Sequence, residues 1–420
     1  MANFGKYVRL LHSAEAVAEF QALFGLQKIN KARPQEEDHA ASEDEQQNGK
    51  LPAASSTKES SVHKRKHVDS QHLQNSTSSS FENDEMELDT TDNVIIKNKI
   101  WYYLFCFGAE LGNKYFYLVF YPFFMWNFSA WLLRRAIYVW VVTMYLGQAA
   151  KELIKMPRPS CPPAIKMERR YETEYGMPST HAMVGVLMPF TLLLSSIGRF
   201  EYPFLLGLIV AIFWTSIVVM SRMYLGMHSL LDVIAGITAG TLLMTMMFPF
   251  LNVIDDWVLN SKMAPFVILL LILVSTLVFP RDSKKWRETH ADTLNITSIS
   301  GGIAIGSWIN TYIGMLVPYT GSLPYVLSLP SLLTIGVMLL RMVVGVPLLL
   351  LMDEILTFCI RNTMAKLLGV PLNKKTKRLA LIELPHRFGA YFTMTVVCVT
   401  ISPLTFQYLG LDPHGPYMDL

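Results

Sequence analysis

Three short polar clusters in this chain carry the residue types needed to break a phosphate ester. Lys151 leads to Arg158-Pro159; then come Pro178-Ser179-Thr180-His181, and finally Ser221-Arg222 with His228 and Asp232. A phosphate monoester resists hydrolysis because its oxyanions repel nucleophiles and its alkoxide is a poor leaving group. Cations must hold the phosphoryl oxygens, a nucleophile must be aimed in line, and an acid must protonate the departing oxygen. Lys151, Arg158 and Arg222 answer the first need, the arginines by forking onto oxygen pairs and the lysine as a point charge. Pro178 ahead of an apolar run reads as a helix start, so the Ser179 side chain and the backbone N–H groups of Ser179, Thr180 and His181 add donors at an anion-attracting terminus. His228 and Asp232 lie four residues apart. On one helical face, the carboxylate would hold Nδ1–H and point Nε2 at phosphorus, giving a phosphohistidine. His181 has no carboxylate at such spacing and is expected to be the general acid.

These clusters need elements that bring them together. The runs 182–198 and 203–220 between the second and third are long and predominantly apolar, so the three clusters are expected to meet at one edge of a membrane. Apolar residues make up 51% of the 420 and charged residues only 16%, in blocks near the length that crosses a bilayer. These blocks fall at 97–126, 133–150, 180–198, 203–222, 230–250, 264–280, 295–318, 326–352 and 386–408, predicting an all-α polytopic transmembrane helical bundle of roughly nine spans. The net charge of +3 suggests no nucleic acid or other polyanion as partner. Cys106, Cys161, Cys359 and Cys398 lack metal or disulfide spacing and read as free thiols. No carboxylate-rich cage accompanies the clusters, so neither a divalent metal nor another cofactor is expected.

The chain divides into four parts. Residues 1–30 hold apolar side chains at helical spacing, an amphipathic helix that lies on the bilayer or docks on its own protein. Without an uninterrupted apolar core there, targeting is expected to rest on the first span. Residues 31–93 are polar and expected to be disordered; Lys64-Arg65-Lys66 within them is not read as an address signal. The catalytic membrane core is expected over 94–260 and further spans over 261–420. Inside the apolar blocks, Glu110 and Lys114 are expected to pair, Arg341 to face another helix, and Pro189, Pro203 and Pro347 to kink spans. Counting spans places the basic loop from Arg361 to Arg378 on the catalytic side, although the positive-inside rule would put such a loop in the cytoplasm. Either a span is miscounted or the rule is overridden. Asn75, Asn127 and Asn295 head glycosylation sequons.

Together, Lys151-x6-Arg158-Pro159, Pro178-Ser179-x-His181 and Ser221-Arg222-x5-His228-x3-Asp232 resemble the tripartite signature of the type 2 phosphatidic acid phosphatase (PAP2) superfamily. That resemblance implies His228 as nucleophile, His181 as proton donor, Asp232 as orienting carboxylate, and Lys151, Arg158, Ser179 and Arg222 as phosphate ligands. Thr180 stands where many members have glycine. Met144-Tyr145-Leu146-Gly147-Gln148, Pro178 to Met183 and Leu225 to Ser229 look like its sphingosine-1-phosphate phosphatase branch. The branch implies a phosphorylated sphingoid lipid substrate and an endoplasmic reticulum membrane with the site facing the lumen. Glu152, Glu172 and Glu174 are candidates to meet the substrate ammonium, against the simpler reading of solvated loop charges. A broad lipid phosphate phosphatase, a sugar phosphatase, and a transporter or scramblase that only binds an anionic head group are the alternatives. Two histidines beside a carboxylate separate them, since binding alone needs only cations. A homo-oligomer is left open.

Overall fold

A computed structural model describes residues 10–28, 94–168, 174–280, 288–316, 322–326, 329–373 and 376–411. The expected disordered segment, Glu172 and the sequon at Asn75 lie outside these residues.

The described chain is helical. In order, α1 is Ala14–Leu23, α2 Lys99–Glu110, α3 Lys114–Asn127, α4 Ala130–Ile154, α5 Thr180–Ser196, α6 Phe204–Tyr224, α7 Leu230–Met247, α8 Leu251–Asn260, α9 Ala264–Val278, α10 Glu288–Tyr312, α11 Leu332–Leu367, α12 Ala380–Val399 and α13 Ile401–Tyr408. Side-chain caps begin many of them: Asn98 for α2, Ser129 for α4, Ser179 for α5, Ser229 for α7 and Ser331 for α11. Each satisfies backbone N–H groups that have no carbonyl partner at a helix start. By length and composition, four stretches among the described residues can cross a membrane: Phe204–Tyr224, Leu230–Asn260, Leu332–Leu367 and Ala380–Tyr408, with shorter apolar helices at Thr180–Ser196 and Ala264–Val278. Two short ladders, not foreseen in the sequence, accompany the helices. Leu26–Lys28 pairs antiparallel with Val94–Ile96, and Phe200–Glu201 pairs parallel with Tyr325–Val326.

Two groups of helices share the fold. In the first, α5 is packed by α4, α6 and α7. Glycines permit close approach: a Cβ at Gly185 would press on Val218, and one at Gly147 on Met183 and Thr180. In the second, α10 is enclosed by α12, α9 and α4, with Gly302 against Thr395 and Gly306 against Val399. Small residues at helix crossings allow the backbone proximity that substitutes in lipid for the missing hydrophobic drive.

Several expectations inside the apolar blocks need correction. The first block is not one span. It breaks at 111–113, where Gly112 lies against the His181 ring so closely that a Cβ would collide with it. Glu110 therefore does not share a helix with Lys114; it accepts a hydrogen bond from Asn113 Nδ2 at 3.0 Å, and the Lys114 side chain is outside the described set. Pro203 is the N-cap of α6 rather than a kink within it, whereas Pro189 and Pro347 are inside α5 and α11. Arg341 does face protein, donating to the carbonyls of Trp126 and Leu411 and to Asn127 Oδ1. Asn127 and Asn295 are held inside helices, with Asn127 only 2% exposed. Cys106, Cys161, Cys359 and Cys398 are free thiols.

The two ends of the bundle are distinct. At one, Arg134 forks onto Asp255 at 2.8 and 3.0 Å, tying α4 to α8, while Arg135 reaches Ser195 and Asn252. At the other lie Lys151, the start of α5 and the end of α6. Towards that second end Tyr145 donates to Ser275 O, Phe279 stacks on His290, Arg387 meets Asp292, and Arg361 meets Glu383. The basic loop after α11 is thus at the same end as the catalytic clusters.

Candidate active site

The three clusters meet. Lys151, on the last turn of α4, places Nζ 3.1 Å from Thr180 Oγ1 at the start of α5. Ser179 N donates to Asp232 O at 3.1 Å, joining the second cluster to the third. Arg158, in the loop after α4, puts Nη1 3.3 Å from His228 Nε2 and 2.8 Å from Met227 O. Arg222 is fully buried on the last turn of α6.

His228 does not share a helical face with Asp232, as their spacing suggested. Gly226 ends α6 with φ +68°, and Ser229 then caps α7 so that Asp232 occupies its third position. Ser229 Oγ accepts from Asp232 N at 3.2 Å, and Asp232 Oδ2 accepts from Ser229 N at 2.8 Å. This reciprocal capping box fixes the carboxylate. Oδ2 is 3.8 Å from His228 Nδ1, too long for a hydrogen bond but aimed at the ring, as is common before substrate tightens a site.

The tautomer follows from Arg158. A guanidinium has donors and no acceptor, so its contact with Nε2 requires the lone pair there and the proton on Nδ1, facing Asp232. His228 is kept neutral as well. Burial pushes its pKa well below the ordinary 6.5, and Arg158, Arg222, Lys151 and His181 add to the effect. Burial likewise lowers the Arg158 pKa, against the opposing pull of Glu174. Ser179 Oγ accepts the capping bond from Ala182 N at 3.4 Å, which leaves its hydroxyl proton to be donated. His181 stands one residue inside α5, partly exposed, against Gly112.

Two carboxylates complete the site. Glu174 Oε2 is 3.1 Å from Lys151 Nζ and 3.7 Å from Arg158 Nη2, and Glu168 Oε2 is 3.0 Å from Arg222 Nη2. Glu174, a candidate to meet a substrate ammonium, pairs here with two phosphate-ligand candidates rather than with solvent. Glu152 is buried rather than solvated. Glu168 had no signal of its own in the sequence, because nothing in the spacing pairs it with Arg222. Among the described residues, no three His, Cys, Asp or Glu side chains are grouped as a metal ion would need.

The PAP2 superfamily model matches residues 132–255, which run from within α4 to within α8 and include Lys151, Arg158, Ser179, Thr180, His181, Arg222, His228 and Asp232. Sphingosine-1-phosphate phosphatase 1 of Rattus norvegicus is 38% identical over 320 residues, 76% of this chain and 74% of the relative. The chain belongs to the sphingosine-1-phosphate phosphatase branch of the PAP2 superfamily. Sphingosine-1-phosphate phosphatase 2 of Homo sapiens is 37% identical over 324 residues, 76% of this chain and 80% of that protein. A dihydrosphingosine 1-phosphate phosphatase of Schizosaccharomyces pombe is 27% identical over 213 residues, covering 49% of this chain and 51% of the yeast one. No solved structure matches. As a PAP2 member with these relatives, the protein is a multi-pass membrane phosphatase acting on lipid phosphates.

Proposed function

We propose that this phosphatase hydrolyses sphingosine 1-phosphate and related sphingoid base phosphates to the free base and inorganic phosphate through a phosphohistidine, without a metal ion. Residues 94–260 form its catalytic core, and the names of the relatives support the substrate class. The contact of Arg158 with the Nε2 lone pair of His228 carries the mechanism, because it sets a neutral nucleophile beside a phosphate-binding cation.

When substrate enters, Arg158, Lys151 and Arg222 turn to the phosphoryl oxygens with the Ser179 hydroxyl and the N–H groups that begin α5. His228 Nε2 attacks phosphorus, the ester P–O bond breaks, and His181 delivers a proton to the leaving alkoxide. Asp232 stabilises the positive charge that develops on the ring through Nδ1–H. His181, now neutral, takes a proton from water as the water attacks phosphorus, and the P–N bond breaks to release phosphate. The enzyme resides in the endoplasmic reticulum membrane with this end in the lumen.

Purified protein incubated with sphingosine 1-phosphate labelled in the phosphoryl group is expected to form an acid-labile phosphoenzyme and release phosphate in chelator. His228→Ala should bind the lipid and do neither. Retained turnover in that variant would assign another nucleophile, and activity lost in chelator but restored by Mg²⁺ would replace the mechanism. Sphingoid, glycerol and sugar phosphates compared side by side test the substrate class; equal kcat/KM across them would make the enzyme broad in specificity.

A further inference from the structure

The PAP2 match begins at residue 132, yet a side chain from the N-terminal segment reaches the nucleophile's carboxylate. His12 stands just ahead of Ser13, the N-cap of α1. Its Nδ1 lies 3.0 Å from Ser229 Oγ, 217 residues away, and 3.9 Å from Asp232 Oδ1. Asp232 is fully buried, and its Oδ1 makes no hydrogen bond among the described residues. His12 is itself largely covered, its side chain 22% exposed. The helix that delivers it is anchored independently. Gln21 Nε2 donates to Ile165 O at 2.6 Å and Tyr224 O at 2.8 Å, and its Oε1 accepts from Ile165 N at 2.9 Å.

We propose that His12 is a positioning residue for the His228–Asp232 pair, so that the N-terminal helix is part of the catalytic apparatus. The inference rests on His228 being the nucleophile. Ser229 provides the physical link: its N–H holds Asp232 Oδ2, and its Oγ accepts from Asp232 N while meeting His12. A ring held at that hydroxyl fixes the capping box, and the capping box aims the carboxylate. Gly176 packs close to the same carboxylate, where a Cβ would come within 3.1 Å of Oδ2. The two carboxylate oxygens turn together about Cβ–Cγ, so any rotation that lengthens the bond from Ser229 N–H to Oδ2 also moves Oδ1. His12 faces Oδ1 and limits that motion while charge develops on His228.

The test uses the full-length protein in lipid micelles and follows phosphate release from sphingosine 1-phosphate. His12→Ala is expected to lower kcat by about tenfold, the usual scale for losing a group that orients a reacting ligand, with KM little changed. His12→Asn, whose amide nitrogen can stand where Nδ1 stands, is expected to recover most of that loss. Gln21→Ala loosens the same helix without touching Asp232 and separates docking from positioning. A wild-type kcat in His12→Ala overturns the proposal. So does a loss that Asn fails to rescue and Gln21→Ala reproduces, which would make the helix a brace only. His228→Ala is run alongside: if it still turns over, the nucleophile assignment fails, whereas an inactive His228→Ala beside an unaffected His12→Ala removes the role of His12 alone.

Discussion

His228 has a chemical state imposed by its neighbours. Because its pKa lies well below 6.5, it stays neutral as pH falls through the range where a free imidazole would protonate, and its nucleophilic form persists. The acid limb that His228 contributes to kcat/KM, which reports the free enzyme, is therefore expected below pH 6.5. The second ionisation of the phosphate monoester, at about 6, is titrated separately by phosphorus NMR and subtracted. An acid limb that remains at or above 6.5 after that subtraction would contradict the burial and charge argument. Glu174 invites a second measurement. It occupies Lys151 and Arg158 with the kind of charge a phosphate would bring, so Glu174→Gln removes a competitor. Inhibition by orthovanadate is expected to tighten on the order of tenfold, about 1.4 kcal/mol, while thermal stability falls because two buried cations lose a counter-charge. Weaker inhibition would instead place Glu174 on the ligand's side.

The turn from α6 into α7 decides where His228 points. Gly226 adopts φ +68°, and a Cβ there would run into the carbonyl of Ile165. An L-residue in that conformation is disfavoured by roughly 1–2 kcal/mol before any clash. Gly226→Ala is thus expected to lower both the melting temperature and kcat, since His228 lies two residues on; unchanged values of both would mean that the turn relaxes without moving the nucleophile. The α5 start works differently. There Ser179 serves as cap and Thr180 as a contact for Lys151. The threonine at 180 brings an oxygen that locates the lysine. The side chains at 221–232 read in the sequence as a helical i, i+4 pair, but the glycine turn and the capping box place His228 before the helix and Asp232 within its first turn.

Across the molecule, the active site, the N-terminal helix and the end of α11 that carries Arg361 and Lys366 share one end. The positive-inside rule would draw that end to the cytoplasm, whereas the lumenal assignment requires the earlier spans to set orientation, as first helices usually do. An epitope inserted between Asn373 and Thr376 is expected to resist protease in sealed microsomes and to become accessible only after detergent. Digestion without detergent would turn the active site to the cytoplasm while leaving its chemistry intact.

The sequence by itself determined the residue types of the site, the helical membrane class and the polar character of residues 31–93. Each follows from short-range pattern: cations and imidazoles at motif spacing, and apolar runs of bilayer length. Tertiary structure alone decided which charges meet. Glu168 on Arg222, Glu174 on Lys151 and Arg158, and His12 on Ser229 join residues whose proximity depends on how α1, α4, α6 and α7 pack, and no local periodicity encodes that. The same holds for the fit of Gly112 against the ring of His181, two residues far apart in the chain.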